Sequence, residues 1–423
     1  MSRTLRLIGK ISVAVLLVGA LFSFAMFQGG FVSWFLFFAV LPVLLYQLGV
    51  LLYPISDWHV SRCLSRHTVR TGDRIQVTLT IKRSLPFPVY YCLCEEQFPD
   101  TLQQADNAAE RYHSLADPSS RHRQRQMKRM LFPGFRRVIR LSYSITDIPR
   151  GEHVLPAVRI RTSDVFGMIT KEHCFPVADE LAAAPNKQPV MLSGAFNSAE
   201  HGSSKSHKAH LTHTTIAAGV REYVPGDSLS WIDWKQTARR NQIITKEFEQ
   251  ENSSDTVVAL DASAASGNNT QAFEMAIELT LGLLQAVRQQ TSEAGLFVAG
   301  KRTMYFPLRL STGQQQAIRR HLTHLQPGGS ESFSVLLQRR MQQAAPMANL
   351  FVVTTYIEPD LPDVISRLRQ RQVKQMTLLF IQAAAWISQA EQDRVHQLRA
   401  AGIRVNVLTE TELSQDLIEV RAV

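Results

Sequence analysis

Two long apolar runs open the chain. Residues 11–27 contain no charged side chain, and after Gln28, Gly29 and Gly30 a second uncharged apolar run covers residues 31–55. About 20 apolar residues cross a bilayer core, so the pattern predicts two transmembrane helices within residues 1–60, joined by a tight turn. A cleaved signal peptide is the alternative for the first run, but it lacks a small-residue cleavage site and the second run begins at once.

Basic residues flank this predicted hairpin at its two outer ends. They are Arg3, Arg6 and Lys10 before the first run, and Arg62, Arg66 and Arg70 after the second. The turn between the runs has none, so the positive-inside rule places both ends of the hairpin in the cytoplasm. We therefore expect a multi-pass protein of the inner (cytoplasmic) membrane, with both termini and all later residues in the cytoplasm.

Short runs of alternating polar and apolar residues follow in residues 61–180. The clearest lie at residues 74–81, 89–94, 137–143 and 158–161. This two-residue period is typical of half-buried strands, and prolines and glycines separate the runs, so we predict a small β-sandwich domain. A polar insert at about 103–129 interrupts it and carries Arg121, Arg123, Arg125, Lys128 and Arg129.

The basic insert has two interpretations. It is either a solvated loop or an arm that binds anionic lipid headgroups. Nucleic acid is not expected as a partner, because Tyr112 is the one aromatic residue there that could stack on a base.

Residues 181–215 have the composition of a linker, rich in Ala, Ser, Asn and Lys. This segment contains His201, His207, His210 and His213. Histidines at such spacings can bind a metal, but carboxylates are scarce and no cysteine accompanies them. The four cysteines of the chain have no paired CxxC spacing either, and we interpret them as reduced cytosolic thiols.

Strand and helix patterns alternate in the last part of the chain, within the domain predicted for residues 216–423. Continuous apolar runs at 256–260, 295–298, 350–353, 376–381 and 405–408 predict buried parallel strands. Amphipathic segments between them predict helices at 271–289, 314–325, 332–343, 361–371 and 388–401. This is the pattern of a doubly wound α/β domain, in which ligands bind at the carboxyl ends of the strands.

Charged and aromatic side chains are concentrated in residues 221–239, which we call the strap. The candidate binding residues are Arg221, Glu222, Tyr223, Pro225, Gly226, Asp227, Trp231, Asp233, Trp234, Lys235 and Arg239. Two tryptophans among alternating charges predict a protein interface with desolvated anchors. The alternative is structural: the tryptophans pack on the sheet, and Arg–Asp pairs fix the turn at Pro225-Gly226-Asp227.

Motifs in and around the strap resemble those of the bacterial domain-of-unknown-function fifty-eight family. The strap reads REY-x-PGD followed by IDWK-x-x-AR. Upstream, Arg150-Gly151, Pro156 and Asp164-Val165-Phe166-Gly167-Met168 are similar to the family's RG…P…DPFGL segment. The N-terminal hairpin matches as well, so the resemblance covers nearly the whole chain.

The resemblance implies that the C-terminal domain is von Willebrand A-like. Such domains often hold a divalent cation through a DxSxS loop, together with a threonine and an aspartate from later loops. Here the loop reads Asp261-Ala262-Ser263-Ala264-Ala265, and Thr354-Thr355-Tyr356 stands where the later aspartate is expected. We therefore expect at most a weak Mg²⁺ site at Asp261 and Ser263 and no other cofactor. Asp261 otherwise has a structural role, capping its loop or pairing with a basic residue.

The resemblance also implies a function. It points to a membrane-tethered partner of a MoxR-type AAA+ ATPase, acting on a client protein in assembly, maturation or envelope stress. We expect a non-enzymatic module whose strap and Asp261 loop form the contact face. The chain has no Walker motif, so the partner would hydrolyse the ATP.

Two other classes of function are weighed against this one. One is a passive membrane scaffold, because a net charge of +10 suits an anionic surface as well as an acidic partner. The other is a metal-dependent hydrolase that uses Asp261, Asp233 and a histidine. The chain contains no HExxH or GxSxG motif, which argues against the hydrolase.

Overall fold

A computed structural model describes most of the chain. The described residues are 3–103, 115–117, 125–165, 167, 169–193, 216–224, 232–240, 242–249, 256–290, 294–307, 312–343, 347–371, 373–415 and 417–421. The chain forms two compact units, residues 1–186 with 319–324, and residues 187–318 with 325–423. Each unit has its own sheets and its own buried apolar residues.

The first unit begins with two helices, α1 (Arg3–Gln28) and α2 (Phe31–Leu52). Gly29, with φ of +62°, allows the reversal between them. Within the described residues, α2 is the helix long and apolar enough to cross a membrane, whereas the apolar part of α1, Leu16–Gln28, is shorter. An N-terminal apolar helix of this kind fits a membrane anchor or a signal sequence.

Ten strands follow in the first unit. They are β1 (His59–Leu64), β2 (Thr68–Arg70), β3 (Ile75–Lys82), β4 (Tyr91–Glu96), β5 (Met127–Leu131), β6 (Val138–Ile145), β7 (Gly151–Leu155), β8 (Val158–Ser163), β9 (Thr170–Phe175) and β10 (Asp179–Ala184). They form sheets of order β1-β3-β6, β5-β4-β8-β9 and β2-β10-β7. Inward residues of the first two sheets share one apolar core, as in a sandwich, with Leu79 and Ile81 meeting Cys92, Cys94 and Ile160.

Segments that the sequence assigned to other structures join these sheets. The second apolar run was expected to stay helical to Ile55, but α2 ends at Leu52, because Tyr53, Ile55 and Trp58 pack into the sandwich core. The end of the predicted basic insert is strand β5, which pairs with β4. Residues 104–114 and 118–124 of that insert lie outside the described residues, with Arg121 and Arg123 among them.

The remaining elements belong to the second unit, apart from residues 319–324 at the end of one helix, which are part of the first. In chain order they are β11 (Val190–Ser193), β12 (Ile216–Glu222), α3 (Trp234–Arg240), β13 (Ile244–Glu249), β14 (Thr256–Ala262), α4 (Thr270–Gln290), β15 (Ala294–Gly300), β16 (Met304–Phe306), α5 (Thr312–His324), α6 (Phe333–Gln342), β17 (Met347–Thr354), α7 (Leu361–Arg371), β18 (Val373–Ile381), α8 (Gln389–Ala400), β19 (Arg404–Leu408), α9 (Glu410–Leu413) and β20 (Ile418–Arg421). The predicted parallel strands are present with wider bounds, and each predicted helix begins and ends within about two residues of its predicted position.

A six-stranded sheet of order β16-β15-β14-β17-β18-β19 forms the centre of this unit. All of its pairs are parallel except β15 with β16. Helices α6, α7 and α8 cover one face, and α4 packs on the same strands from the other side. Buried Thr280 in α4 donates its hydroxyl to the Ala276 carbonyl at 2.6 Å, as expected for a polar residue in an apolar helix stripe.

The predicted linker at 181–215 is structured in its first part. Strand β10 pairs with β7 and β2, and β11 pairs with β20, because residues such as Leu181, Ala183 and Leu192 are buried. Residues 194–215, which include the four candidate metal-binding histidines, lie outside the described residues.

Candidate functional site

The strap forms the connection between the two strands of a separate hairpin. Strands β12 and β13 pair antiparallel, with Glu222 opposite Ile244, and α3 lies in the connection between them. Arg221 belongs to β12. Pro225, Gly226, Asp227 and Trp231 lie outside the described residues, so the predicted turn and the first tryptophan stay predictions.

Asp233 organises the described part of the strap. Its Oδ1 accepts hydrogen bonds from the backbone N–H groups of Lys235 and Gln236, each at 3.1 Å, which caps the first turn of α3. Its own N–H donates to the Ile244 carbonyl at 2.8 Å. The Ile244 N–H in turn donates to the Thr237 hydroxyl at 3.1 Å, so α3 is fastened to the start of β13.

The outer side of α3 carries the side chains that a partner can reach. Trp234 is 69% exposed, and Lys235 and Arg239 beside it are exposed too. The isoleucines that hold the helix, Ile232 and Ile244, are buried. The structural interpretation of the strap requires its tryptophans to be packed against the sheet. Trp234 is exposed instead, so that interpretation does not hold for this residue.

Exposed apolar side chains also occur on the hairpin next to α3. Val224 and Ile243 are both at least half exposed, and the Tyr223 N–H donates to the Ile243 carbonyl at 2.9 Å, so the two chain segments are adjacent. Tyr223 is half-buried and Glu222 is exposed. Apolar side chains bordered by charges are a common composition for a protein interface.

A second polar cluster lies at the carboxyl edge of the parallel sheet. Asp261 near the end of β14 is buried, and its Oδ1 accepts from the Ser263 N–H at 2.9 Å. Its Oδ2 accepts from the hydroxyl of Thr354, the last residue of β17, at 2.7 Å. Adjacent parallel strands bring these two residues together, and the carboxylate holds its own loop in place.

Neighbouring strand ends extend this network. The Thr355 hydroxyl donates to the Ser266 carbonyl at 2.9 Å, which fastens the loop after β14 to the end of β17. Asn269 donates to Gln382 Oε1 at 2.7 Å, and Gln382 donates to the Thr355 carbonyl at 3.1 Å. Thr354, Asn269 and Gln382 were not among the predicted site residues. The sequence pattern that could have identified them is a polar residue at or just after the end of a buried strand, or just before a long helix.

Burial determines the protonation of Asp261. It raises the pKa of this carboxyl to about 6, against the hydrogen bonds from Ser263 and Thr354, which lower it. Glu358 adds a smaller rise in the pKa. Both oxygens of Glu358 are already engaged, because they accept from the Phe333 and Ser334 N–H groups at 2.8 and 2.9 Å at the start of α6.

The residues present fit a divalent cation only in part. The buried Ser263 Oγ has no hydrogen-bond partner and lies in the same loop as the Asp261 carboxylate, and both are oxygen donors. Where the second carboxylate is expected, Thr354 and Thr355 supply neutral hydroxyls that already have partners. No three His, Cys, Asp or Glu side chains in the described part of the chain are grouped so that they could hold a metal ion.

The described part of the basic insert lines an open groove of about 970 Å³ in the first unit. Arg125 donates to the Thr146 and Asp147 carbonyls, and Lys128 pairs with Glu95 at 3.1 Å. Arg129 is exposed. Two of the five predicted basic residues therefore have partners within the domain, which makes them part of its structure.

The comparisons with known proteins agree on one family. The profile of the family described as "Protein of unknown function DUF58" matches residues 219–381, which span the strap and most of the parallel sheet. The uncharacterized protein YeaD of Bacillus subtilis (strain 168) is 33% identical over 402 residues, which cover 94% of this chain and 95% of YeaD. The chain belongs to the DUF58 family. Neither DUF58 nor YeaD has a name that states an enzymatic activity.

Solved structures add no argument about the fold of this DUF58 protein. The PilB minor pilin of Streptococcus sanguinis is 7% identical, with 77% of this chain and 85% of the pilin covered and a TM-score of 0.29. A CARDB domain from Pyrococcus furiosus is 8% identical and has a TM-score of 0.19, with 30% of this chain and 87% of that domain covered. Both TM-scores are too low to indicate a common fold.

Proposed function

We propose that this DUF58 protein is a membrane-anchored cytoplasmic module that binds other proteins through the strap. The observation that carries the proposal is the exposure of Trp234, which is 69% exposed on α3. Asp233 caps this helix, and a hydrogen bond from the Ile244 N–H to Thr237 holds it against β13. A large exposed aromatic on a rigid support loses little conformational entropy on binding. Lys235 and Arg239 beside it favour an acidic surface on the partner.

The partner in this proposal is a AAA+ ATPase of the MoxR type, which remodels a client protein held on the same complex. The family resemblance suggests this partner. The von Willebrand A-like fold that accompanies this resemblance is supported by the order of the central sheet. This sheet has one antiparallel edge strand and places Asp261 and Thr354 at adjacent carboxyl ends, as such a domain would. In this proposal the Asp261 loop lies in the contact face together with the strap.

Membrane attachment is proposed through both N-terminal helices as a hairpin, with both termini in the cytoplasm of a bacterial inner membrane. Phe22 of α1 packs against Trp34 and Phe37 of α2 with ring centroids 6.4 and 5.8 Å apart, which supports a paired hairpin. Arg62 needs a correction, because it is buried in the sandwich and paired with Glu96. The exposed Arg66 and Arg70 remain as basic flanking residues after α2.

A non-enzymatic role fits the state of the candidate catalytic groups. A hydrolase needs a base that reaches substrate or metal-bound water. Asp261 and Ser263 are buried, and the Asp261 oxygens serve Ser263 and Thr354. Asp233 Oδ1 serves the first turn of α3. Each of the two carboxylates therefore has a structural partner.

The test is co-purification of the full-length protein from detergent-solubilised membranes, with and without ATP and Mg²⁺. We expect the wild-type protein to recover a AAA+ ATPase and Trp234→Ala to lose it. The matched control is Trp386→Ala, because Trp386 is a 43% exposed tryptophan elsewhere in the same unit. Asp227→Ala tests the predicted turn independently.

The outcomes separate the competing functions. Equal recovery by Trp234→Ala and Trp386→Ala would contradict the strap as the binding face. Recovery of lipid alone by well-folded wild-type protein would replace the adaptor with a passive membrane scaffold. Turnover of a substrate that disappears in Asp261→Ala would identify an enzyme instead.

A further inference from the structure

The sandwich holds the end of α2 by hydrogen bonds and aromatic packing, and we call this set of contacts the grip. Lys171 Nζ donates to the Leu51 and Tyr53 carbonyls at 2.6 Å each, which places a cation at the helix C-terminus. The Phe87 ring stacks on Tyr53 and on Tyr46, about two helical turns earlier, with centroids 5.2 and 6.0 Å apart. The last turns of α2 therefore lie directly against loops of the sandwich.

Gly49 is what allows this approach. A Cβ at position 49 would lie 2.7 Å from the Phe87 ring. Val50 and Leu51 pack against Ile169, in the segment that leads into β9, and Phe87 borders the same cluster. The helix end thus contacts two separate segments of the same domain.

A rigid loop of six residues, 132–137, connects β5 to β6 beside this grip, and we call it the aromatic loop. Arg83 is buried and holds it through backbone carbonyls: Nε donates to Arg136 at 2.8 Å, and Nη2 donates to Gly134 at 2.9 Å. Nη1 of the same side chain donates to the Phe87 carbonyl at 3.0 Å. One buried guanidinium thus ties the aromatic loop to the residue that stacks on α2.

The aromatic loop directs its largest apolar side chains outward. Phe135 is 72% exposed and Phe132 is 64% exposed, although the backbone that carries them is fixed. Phe132 packs edge-on against Tyr90, itself about half exposed, with centroids 6.1 Å apart. Arg136 and Arg137 follow directly and are exposed as well. This surface therefore suits an environment that is apolar enough for the two phenylalanines and carries negative charge for the two arginines.

We propose that the aromatic loop inserts Phe132 and Phe135 into the interface of the bilayer that α2 spans, with Arg136 and Arg137 on anionic headgroups. The proposal rests on α2 as a membrane anchor, which belongs to the proposed function. Aromatic side chains are enriched at this depth of a bilayer, and basic residues near an anionic surface add attraction. The tie through Arg83 and Phe87 keeps the loop beside the helix end, where that interface lies.

This surface is distinct from the basic insert that the sequence suggested for lipid binding. Lys128 of the insert pairs with Glu95 and Arg125 bonds to backbone carbonyls, so those cations have partners within the domain. The aromatic loop combines apolar side chains with cations, which is the chemistry of a lipid interface and goes beyond attraction by charge alone.

The test places an environment-sensitive fluorophore in the full-length protein, at a cysteine introduced as Phe135→Cys. The exposed Cys63 and Cys174 are first replaced by serine, while burial raises the pKa of Cys92 and Cys94 to about 12 and keeps them unreactive. The protein is held in nanodiscs of phosphatidylcholine with phosphatidylglycerol. Quenching by a lipid-borne nitroxide is compared with quenching by iodide in the water.

Two further positions make each outcome decisive. Val43→Cys lies in the middle of α2, and Val154→Cys lies on an exposed site of β7. We expect lipid quenching to dominate at 43 and 135, and iodide quenching at 154. Iodide quenching at 135 with lipid quenching at 43 would overturn this proposal and leave the anchor intact. Iodide quenching at 43 would overturn the anchor as well.

The arginines have a separate readout. We expect lipid quenching at 135 to weaken in nanodiscs of phosphatidylcholine alone, and Arg136→Gln with Arg137→Gln to abolish the difference between the two lipid compositions. Arg319→Gln with Arg320→Gln, also an adjacent exposed pair, is the matched control and should preserve the difference. Equal quenching in both compositions for the wild-type loop would overturn the headgroup contact.

Discussion

The hydroxyl of Thr354 donates a 2.7 Å hydrogen bond to Asp261 Oδ2, across the carboxyl ends of two adjacent parallel strands. Both residues are buried, so this bond supports a carboxylate that water does not solvate. The chain places a threonine where the family resemblance leads to the expectation of an aspartate. A second carboxylate there would repel Asp261 unless a cation lay between them.

We predict that Asp261 makes the protein less stable as the pH rises. Its pKa is about 6 in the folded chain, compared with 3.8 for an exposed aspartate, so the folded state binds the proton more tightly. The stabilising contribution of the protonated form is complete below about pH 3.8 and is lost as the pH approaches 6. The loss is on the order of 2–3 kcal/mol.

Asp261→Asn should remove this dependence. The amide oxygen can still accept from the Ser263 N–H, the amide N–H can donate to the Thr354 hydroxyl oxygen, and a hydrogen-bonded neutral amide costs less to bury than a carboxylate. We expect a higher unfolding midpoint at pH 7.5 than for the wild type and a flatter profile between pH 4 and 6, measured by tryptophan fluorescence of the full-length protein in detergent. Destabilisation of the variant at pH 7.5 would contradict the assignment and would favour a bound cation.

Thr354→Val should destabilise the protein by about 1–3 kcal/mol, because it removes the hydroxyl that bonds to the buried Asp261 carboxylate and to the Tyr356 backbone, with little change in volume. The loss should be larger above pH 6, where Asp261 is ionised. Thr280→Val is the control, since its hydroxyl bonds only to a helix carbonyl at 2.6 Å, and we expect a small effect. Equal losses of unfolding free energy in the two variants would show that the hydrogen bond to the Asp261 carboxylate stabilises the protein no more than an ordinary helix hydrogen bond.

The buried pair of Arg62 and Glu96 should be intolerant of change. Both side chains are fully buried, and Tyr143 donates to the other Glu96 oxygen at 2.6 Å. Glu96→Gln leaves the Arg62 charge unpaired, so we expect a loss of roughly 3–5 kcal/mol in unfolding free energy. Glu172→Gln breaks exposed pairs with Arg159 and Arg161 and should cost less than about 1 kcal/mol. Similar melting curves for the two variants would contradict the prediction.

Gly282→Ala should destabilise the second unit even though alanine favours helices. A Cβ at this position of α4 would lie 1.8 Å from the Gln188 carbonyl oxygen, and backbone atoms cannot yield as a flexible side chain can. The gain in helix propensity of about 1 kcal/mol is smaller than the cost of moving the segment before β11 off the helix. A melting temperature at or above that of the wild type would show that this segment is not packed on α4.

Continuous apolar runs made the parallel sheet predictable. Strands such as β14 and β17 are buried on both faces, so nearly every side chain is apolar and the run stands out from its neighbours. Strand β5 was missed because three of its five residues are exposed, and its charges resemble those of a loop. Strand β10 was missed because its Ala-rich sequence resembles a linker, and its pairing with β7 and β2 defines it.

The candidate site was predictable to a smaller extent. The motif located the strap and Asp261, but spacing alone could not decide whether Trp234 packs inside or faces outward. That depends on the cap by Asp233 and on the bond from Ile244 to Thr237, which set the rotation of α3. Thr354, one of the two partners of Asp261, lies 93 positions later, a distance over which local patterns carry no information.

The grip of Lys171 and Phe87 on the end of α2 has a mechanical consequence. In the described residues, the last turn of α2 packs directly against the sandwich, with no free linker between the two. A force applied to the sandwich would therefore be transmitted to α2 through these contacts and would not be absorbed by a flexible linker. In the proposed function, force that the ATPase exerts on this unit would therefore reach α2 and the bilayer directly.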